Sequence, residues 1–362
     1  MSDNQSEIFK GLKVLELASV LAGPAVGMFF AELGAEVTKI ENPKVGGDVT
    51  RKWRSKGENR KGYSAYFASV NWGKNHVMLD YSKPKDLEEV GRLVSESDIV
   101  ITNFKHGDDL KFGLDYKSLS VLNQKLIYAQ LNGFESDPKR PAFDAVLQAE
   151  TGFMSMNGSS ESGPIKMPIA LIDVLAAHQM KEAILLALIN QSRNGKGAHI
   201  EVSLEESALS SLVNQATNWL MNKTIPERLG SLHPNIAPYG DTFRCNDKRS
   251  IVLAVGSDAQ FKMLGNIIGM SESEILPFLT NPERVKHRLK MQEIISRYIP
   301  KLNSDKLMDE LLKHKIPAGF IRTLDEVLES KTARSMILKE LIQDEETERL
   351  SGNAFRISFN SE

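Results

Sequence analysis

The segments Gly11-Leu-Lys-Val-Leu-Glu-Leu17 and Ala35-Glu-Val-Thr-Lys-Ile-Glu41 flank an apolar stretch that opens with Ala22-Gly-Pro24. Both flanking segments carry the branched aliphatic residues that are typical of buried strands. The residues from about Ala25 to Leu33 predict a helix, which Gly34 ends. A strand, a helix and a second strand in this order predict a parallel sheet at the start of the chain.

The acidic Glu41 at the end of the second strand invites comparison with dinucleotide-binding proteins. Their fingerprint requires three glycines in the first turn, where the backbone approaches a pyrophosphate. Here the turn Ala18-Ser-Val-Leu-Ala-Gly-Pro-Ala25 contains a single glycine among bulkier residues. The sequence therefore predicts an open, Rossmann-like parallel sheet without a dinucleotide site.

Four further apolar runs predict additional strands of this sheet. These runs are Val77–Leu79, Asp98–Thr102, Lys125–Leu131 and His199–Ser203. Helices are expected at about Lys85 to Ser95, from Pro141 toward Thr151, and from Leu204 to about Met221. Asn103 and Lys105 follow a predicted strand, where parallel sheets bind ligands, although ordinary loop capping would explain them equally well. The charged loop that contains Arg51 and Arg54 could face ligand phosphates or simply be solvated.

After Asn222 the pattern changes, since a proline-containing loop precedes a predicted hairpin of Thr242–Cys245 and Ser250–Ala254. Charged helices are expected from about Pro282 to Tyr298 and from Ser304 to His314. We therefore expect an α/β protein with two domains. Residues 1–223, completed by 330–362, form a large domain with the open parallel sheet, and 224–329 form a smaller α+β domain.

Composition limits the classes of function. The 362 residues are 41% hydrophobic and 25% charged, as in an ordinary globular protein. A formal net charge of -2 gives no electrostatic footprint for nucleic acid. The one cysteine, Cys245, excludes an intramolecular disulfide, and no ligand spacing suggests a metal site. Because neither a signal peptide nor a membrane-spanning run is evident, we expect a cytoplasmic protein that binds neither membrane nor nucleic acid.

One carboxylate, Asp173, lies in the apolar stretch Pro168-Ile-Ala-Leu-Ile-Asp-Val-Leu-Ala-Ala-His178. Apolar residues recur after it at steps of three and four, which places Asp173 at or just before the start of a helix. Such an aspartate is most often an N-cap. A carboxylate that is ionised yet poorly hydrated is alternatively a competent nucleophile.

The order and spacing of several motifs resemble those of class III (CaiB/BaiF-type) coenzyme A transferases, the family of formyl-CoA and carnitine-CoA transferases. The resemblance covers nearly the whole chain. The motifs are Leu21-Ala-Gly-Pro24, Leu33-Gly-Ala-Glu-Val-Thr-Lys-Ile-Glu41, Asn103-Phe104, Gly195-Lys-Gly197, His233-Pro-Asn-Ile-Ala-Pro-Tyr239 and Ile316-Pro-Ala-Gly319. None is specific alone; their order and spacing together are.

The resemblance implies an interlocked homodimer and an enzyme that moves CoA from an acyl-CoA to a free carboxylic acid. Asp173 matches the family nucleophile, which forms anhydride and aspartyl-CoA thioester intermediates. CoA is then a substrate, and no permanently bound cofactor is expected. The implied CoA contacts are Leu21, Ala22, Asn42, Lys44, Val70, Asn71, Trp72, Gly73, Asn103, Phe104, Lys105, Lys111, Pro141, Ala142, Phe143 and Asp144, and the implied substrate loop is Ile236, Ala237 and Pro238.

Departures from the family pattern narrow these expectations. Asn42 replaces an arginine that often contacts the adenosine end, and Lys44 could substitute for it. Leu21 and the Ile236–Pro238 loop replace a glutamine and a glycine-rich loop of formyl-CoA transferases, which argues against a formyl/oxalate pair. Related racemases use a histidine where this chain has Phe143, which cannot transfer a proton. A racemase and a non-catalytic acyl-CoA-binding protein remain the alternative functions on the same fold.

Overall fold

The computed structural model of the protein describes residues 7–59, 62–342 and 345–358. Its strands are β1 (Lys13–Glu16), β2 (Glu36–Glu41), β3 (Lys74–Met78), β4 (Ile99–Thr102), β5 (Ile127–Asn132), β6 (Gly158–Ser159), β7 (Gly163–Pro164), β8 (Ala198–Ser203), β9 (Tyr239–Arg244), β10 (Ser250–Ala254), β11 (Ala318–Phe320), β12 (Ile337–Ile342) and β13 (Glu345–Leu350).

Its helices are α1 (Ala22–Glu32), α2 (Ala65–Ala68), α3 (Pro84–Ser95), α4 (Asp108–Phe112), α5 (Tyr116–Leu122), α6 (Asp144–Glu150), α7 (Phe153–Met156), α8 (Leu171–Asn194), α9 (Leu204–Ser210), α10 (Val213–Asn222), α11 (Asp258–Ile268), α12 (Glu272–Ile275), α13 (Asn281–Lys286), α14 (Arg288–Ile295), α15 (Ser304–Lys313), α16 (Leu324–Leu328) and α17 (Lys331–Arg334). Short 3₁₀ turns cover Pro43–Val45, Val49–Lys52, Leu276–Phe278 and Ile299–Lys301.

The chain divides into two compact units. Unit 1 comprises Met1–Thr151, Met167–Asn214 and Lys331–Glu362, and unit 2 comprises Gly152–Lys166 and Gln215–Ser330. The predicted boundaries differ from this division, since they place Gly152–Lys166 in the large domain and end the first part of that domain at 223. Gly152–Lys166 is hydrogen-bonded to the rest of unit 2, since the Gly230 N–H donates to the Gly158 carbonyl at 2.7 Å.

Unit 1 is built on one six-stranded parallel sheet with the strand order β3-β2-β1-β4-β5-β8. β1 pairs with β2 on one side and with β4 on the other. The connection that follows β1 therefore runs toward one edge of the sheet, and the connection that follows β4 runs toward the other edge. A crevice opens at such a reversal, beyond the carboxyl ends of the strands, and it is where open α/β sheets bind their ligands.

The elements of unit 1 follow the expected pattern with shifts at their ends. α1 begins at Ala22 rather than near Ala25, and Gly23 and Pro24 lie in its first turn. Proline is tolerated there because the first N–H groups of a helix have no intrahelical partner. The single helix expected from Leu204 is divided into α9 and α10, with Val213 in a left-handed conformation at the break (φ 37°).

The hydrophobic core of unit 1 places α3 and α5 against the sheet. Tyr128 of β5 and Val100 of β4 are completely buried there beside Val90 and Val94 of α3. The long helix α8 packs against α1, β5 and β8. The segment after Lys331 adds the antiparallel pair β12-β13 to unit 1.

Unit 2 is a smaller α+β unit around the antiparallel sheet β11-β10-β9. Its core combines Ile251 and Leu253 of β10 with Phe261 of α11 and Leu311 of α15. The helix expected from Pro282 to Tyr298 is interrupted at His287, between α13 and α14. No described helix combines the length and the apolar character that crossing a lipid bilayer requires.

Candidate functional site

A large cleft opens in unit 1 at the carboxyl edge of the parallel sheet. It has a volume of about 1430 Å³. The loops that follow β1, β4 and β5 line it, together with Asp173. It therefore occupies the crevice that the reversal of strand order between β1 and β4 creates.

Asp173 is the third residue of α8 and is 9% exposed. The N-cap of this helix is Ala170, whose side chain forms no capping hydrogen bond. Asp173 is therefore not the N-cap. Among the described residues, no group donates a hydrogen bond to its carboxylate, so its oxygens remain available to a ligand in the cleft.

The start of α8 is held by a carboxylate from a different helix. Asp144, the first residue of α6, accepts a hydrogen bond from the backbone N–H of Ile172 at 2.7 Å. Its other oxygen accepts from the Gln148 amide at 2.7 Å, and Gln148 in turn accepts from the Met167 N–H at 2.8 Å. Gln148 is completely buried. These contacts fix the backbone on which Asp173 stands.

Two effects oppose ionisation of Asp173. Burial has the larger effect and the negative charge of Asp144 the smaller one, and together they raise the pKa of Asp173 to about 7. The helix N-terminus favours the carboxylate form, but burial and the neighbouring carboxylate prevail. Near neutral pH a substantial fraction of Asp173 is thus a poorly solvated carboxylate, the form in which an aspartate is nucleophilic.

The turn between β1 and α1 forms one wall of the cleft, and side chains hold its backbone. The Asn103 amide accepts from the Ser19 N–H at 3.0 Å and donates to the Ser19 carbonyl at 2.8 Å. The Lys39 ammonium donates to the Ala18 carbonyl at 2.6 Å. Asp48 accepts from the Val20 N–H. The polar groups of Asn103 are therefore used to shape this turn.

A buried ion network lies beneath the turn. The Glu16 carboxylate contacts the ammonium groups of Lys39 at 2.8 Å and Lys74 at 2.7 Å, and Lys39 also contacts Asp48 at 3.1 Å. Burial opposes ionisation of Glu16, yet the two ammonium groups outweigh it and hold the pKa of Glu16 below its ordinary value. Each buried charge of the network therefore has a counter-charge, and two of its members, Lys39 and Asp48, line the cleft.

Eleven of the residues singled out in the sequence line the cleft, and they are Leu21, Ala22, Asn42, Asn103, Phe104, Lys105, Pro141, Ala142, Phe143, Asp144 and Asp173. The other six predicted in unit 1 do not. Lys44 contacts Asp80 at 3.1 Å, and the Lys111 ammonium lies over the Phe112 ring. Val70 lines a smaller pocket, and Asn71, Trp72 and Gly73 line neither cavity.

Sequence reasoning missed several residues of the cleft. Asp48 follows two glycines in a loop and shows no pattern that would reveal its contact with Val20. Lys139 and Arg140 also line the cleft. The sequence contains a pattern that could have indicated them, because this basic pair lies in the loop after β5 and directly precedes the predicted Pro141–Asp144 segment.

Tyr66 was also missed. Burial, followed by the charges of Asp173, Asp144 and Asp48, raises the pKa of Tyr66 to about 12. Its ring forms an edge-to-face contact with Trp53, with 5.2 Å between the centroids. Tyr66 therefore stays protonated at neutral pH and can donate a hydrogen bond among these carboxylates.

The predicted substrate loop lies in unit 2 and is firmly held there. A cis peptide bond joins Ala237 and Pro238. The Ala237 carbonyl accepts from the Arg284 guanidinium at 2.6 Å, and the Ile236 carbonyl accepts from Arg288 at 2.8 Å. The loop therefore has a defined backbone conformation within its unit.

Comparison with known proteins gives one consistent family. The family model described as CoA-transferase family III matches residues 9–362. The chain is 38% identical over 339 residues to a succinate–glutarate CoA-transferase from Agrobacterium fabrum, covering 90% of this chain and 82% of the relative. It is 32% identical over 338 residues to an acetyl-CoA:oxalate CoA-transferase from Acetobacter aceti, covering 91% and 85%.

A mouse succinyl-CoA:glutarate CoA-transferase is 30% identical over 322 residues, covering 88% of this chain and 73% of the relative. The crystal structure of a CaiB/BaiF family protein from Brucella suis superposes with a TM-score of 0.83 at 36% identity, covering 97% of this chain and 93% of that one. Sequence and fold agree over nearly the full length. The chain therefore belongs to CoA-transferase family III and is an enzyme of the CoA-transferase type.

Proposed function

We propose that the Asp173 carboxylate is the nucleophile that carries CoA between an acyl-CoA and a free carboxylic acid. The observation that carries this proposal is the state of Asp173: nine-tenths buried, without a hydrogen-bond donor among the described residues, and open to the cleft. Such a carboxylate is poorly solvated, and each step that neutralises its charge relieves the cost of its burial.

The reaction proceeds in four displacements at carbonyl carbons. An Asp173 oxygen attacks the donor thioester and expels CoA thiolate, which leaves a mixed anhydride on the side chain. The thiolate then attacks the aspartyl carbonyl and releases the donor acid, so that Asp173 holds CoA as a thioester. The acceptor carboxylate attacks this thioester, expels CoA thiolate and forms a second anhydride, and the thiolate then attacks the acceptor's acyl carbon and releases the Asp173 carboxylate. Asp173 is regenerated, and neither water nor a redox partner is consumed.

Each displacement passes through a tetrahedral oxyanion that needs a hydrogen-bond donor. We assign this donor to the Tyr66 hydroxyl, which burial, followed by the charges of Asp173 and Asp144, keeps protonated with a pKa of about 12. Phe143 has no group that can exchange a proton, so the cleft favours acyl transfer over a racemisation that needs a second base.

In this proposal CoA occupies the large cleft of unit 1. Lys105, Lys139 and Arg140 line it and are the cations that we assign to the phosphates of CoA, although Arg140 also pairs with Glu150 at 2.6 Å. The family resemblance adds the loop Ile236–Pro238 as a contributor to the acid site. The names of these relatives pair succinate with glutarate in two cases and acetyl-CoA with oxalate in the third, so each includes a dicarboxylic acid. We therefore place dicarboxylic acids first among the substrates to be tested.

A homodimer is part of the proposal. α8 exposes Leu186 (67%) and Ile189 (50%), and α10 exposes Leu220 (67%) and Met221 (76%). Neighbouring exposed apolar side chains on a helix, as on each of these two helices, are found at subunit interfaces. Light scattering at micromolar concentration should give twice the mass of the chain, and a monomer mass would refute this part.

The decisive experiment traps the intermediate. Wild-type enzyme is incubated with succinyl-CoA and no acceptor and is then treated with hydroxylamine, which should leave a hydroxamate at Asp173 detectable by peptide mass spectrometry. Asp173→Ala and Asp173→Asn should abolish both the adduct and CoA transfer while still binding CoA, because the proposed CoA contacts lie on other loops. Asp309→Asn, which changes an exposed aspartate of α15, is the matched control. An adduct at another residue, or transfer by Asp173→Ala, would refute the mechanism. CoA binding by the wild type without any transfer would favour the non-catalytic alternative.

A further inference from the structure

Unit 1 contains a second, smaller pocket with a volume of about 220 Å³. Its walls come from the start of α1 and the first turns of α8, and they include Leu21, Met28, Phe29, Val174, Ala177 and Lys181. The lining is mostly aliphatic and aromatic. A cavity of this size and character suits a short carbon chain better than a nucleotide.

The pocket adjoins the catalytic end of the large cleft. Leu21 lines both cavities, and Val174, which lines the pocket, follows Asp173 directly in α8. An acid whose carboxylate meets Asp173 therefore has this pocket beside it. Of the CoA contacts that the family resemblance implies, two line this pocket, Leu21 and Val70.

Lys181 supplies a cation within this apolar lining. Its ammonium lies 5.5 Å from the centre of the Phe29 ring, and among the described residues it forms no ion pair within 4 Å. Within the described part of the chain, the carboxylate that acts on it is Glu32, which already pairs with Arg349 and accepts from Ser351 and from the Gly352 N–H. Burial, only partly offset by Glu32, lowers the pKa of Lys181. The charge of Lys181 is thus incompletely compensated, which is the condition for binding an anion.

Helix geometry relates Lys181 to the nucleophile. Asp173, Ala177 and Lys181 are spaced four residues apart and lie along one ridge of α8. The axial rise between residues 173 and 181 is about 12 Å, and the Lys181 ammonium lies beside Phe29, eight residues along α1 from Leu21. An acid that spans from Asp173 to Lys181 therefore needs a carbon chain between two carboxylates.

We propose that this pocket binds the carbon chain and the distal carboxylate of a short dicarboxylic acid, with Lys181 as the counter-charge, while Asp173 reacts with the proximal carboxylate. This inference rests on the function proposed above and specifies its substrate class. A monocarboxylic acid of the same length would leave the Lys181 ammonium without a partner. Sites built for a polar group discriminate strongly against analogues that lack it.

The test compares glutarate with pentanoate, which has the same carbon chain and lacks the second carboxylate. Lys181→Met keeps the length of the side chain and removes its charge, Lys181→Arg keeps the charge, and Lys196→Met changes an exposed lysine beyond α8 as a control. In CoA transfer, Lys181→Met should lower the ratio of kcat/KM for glutarate to that for pentanoate by roughly tenfold to a hundredfold. Lys181→Arg should retain most of the preference, and Lys196→Met all of it.

A binding measurement separates this inference from the proposed mechanism. Calorimetric titration of the CoA-bound enzyme with glutarate should show binding to the wild type that Lys181→Met weakens roughly tenfold or more. Equal affinity in both proteins, no glutarate binding to the wild type, or an unchanged glutarate-to-pentanoate ratio would overturn the subsite. Lys181-dependent binding without any transfer would support the subsite and refute the proposed reaction instead.

Discussion

The carboxylate of Asp48 accepts a hydrogen bond from the backbone N–H of Val20 at 3.1 Å, and Val20 has a φ of 75°. A β-branched residue in this left-handed region is strained by about 1–3 kcal/mol. Since Lys39 and Asn103 hold the adjacent carbonyl and amide groups, the turn is fixed from several sides. The strain thus lies in the wall of the cleft next to Leu21, which lines both cavities.

From this hydrogen bond we predict that substitutions of Asp48 and Val20 have non-additive effects on kcat/KM. Asp48→Ala should lower kcat/KM for acyl-CoA by roughly tenfold to a hundredfold, because Val20 can then relax out of its strained conformation. In a Val20→Gly background the same substitution should cost much less, since glycine adopts a positive φ without strain. The four proteins form a double-mutant cycle read by steady-state kinetics. Equal losses in the two backgrounds would contradict the coupling and leave Asp48 as a partner of Lys39 alone.

The pKa of Asp173 sets the pH dependence of transfer. Only the carboxylate is nucleophilic, so kcat/KM should rise with pH and level off above an inflection near 7. Asp144→Asn should move the inflection to lower pH, because it removes a negative charge that raises the pKa while keeping an oxygen for the Ile172 N–H. Thr242→Val, in unit 2, is a control that should leave the profile in place. An inflection that stays fixed or moves upward in Asp144→Asn would contradict the assignment of the titrating group.

The sequence was sufficient to predict the order of the elements around the parallel sheet, because apolar periodicity reports burial directly. The apolar stretch around Asp173 also drew attention to this carboxylate, which lines the cleft. Asp48, Tyr66 and Lys181 were not predicted, because their roles depend on contacts with residues distant in the sequence. Val70 was expected in the CoA site and lies instead in the smaller pocket. A motif gives the order of residues, whereas the packing of α1 against α8 decides which cavity each side chain lines.

Two glycines in helices should respond oppositely to alanine. A β-carbon at Gly27 of α1 would lie 2.0 Å from an oxygen of Glu16, inside the buried ion network. Gly27→Ala should therefore destabilise the protein by about 2–5 kcal/mol, because Glu16 cannot move without breaking its buried contacts with Lys39 and Lys74. At Gly91 of α3 the added carbon would meet only Leu122, at 3.8 Å. Gly91→Ala should stabilise by about 0.5–1 kcal/mol through helix propensity. Urea unfolding of both variants measures the contrast, and similar effects at the two sites would argue against a rigid network.

The last prediction concerns the loop Ile236–Pro238 and its support in unit 2. Arg284 is completely buried and donates to the carbonyls of Ala237, Phe278 and Leu279 and to Asp258. Arg284→Met preserves bulk but leaves three carbonyls without this donor, and we expect a loss of about 2–4 kcal/mol in stability.

Hydrogen exchange at the Val255 N–H, which donates to Pro238, should accelerate, whereas amides in β1 and β4 of unit 1 should change little. If the loop serves the acid substrate, KM for the acid should rise more than KM for acyl-CoA. Arg297→Met, which removes an exposed arginine paired with Glu293, is the control and should cost less than about 1 kcal/mol. Faster exchange with unchanged KM values would leave Arg284 with a structural role only and would remove the loop from the acid site.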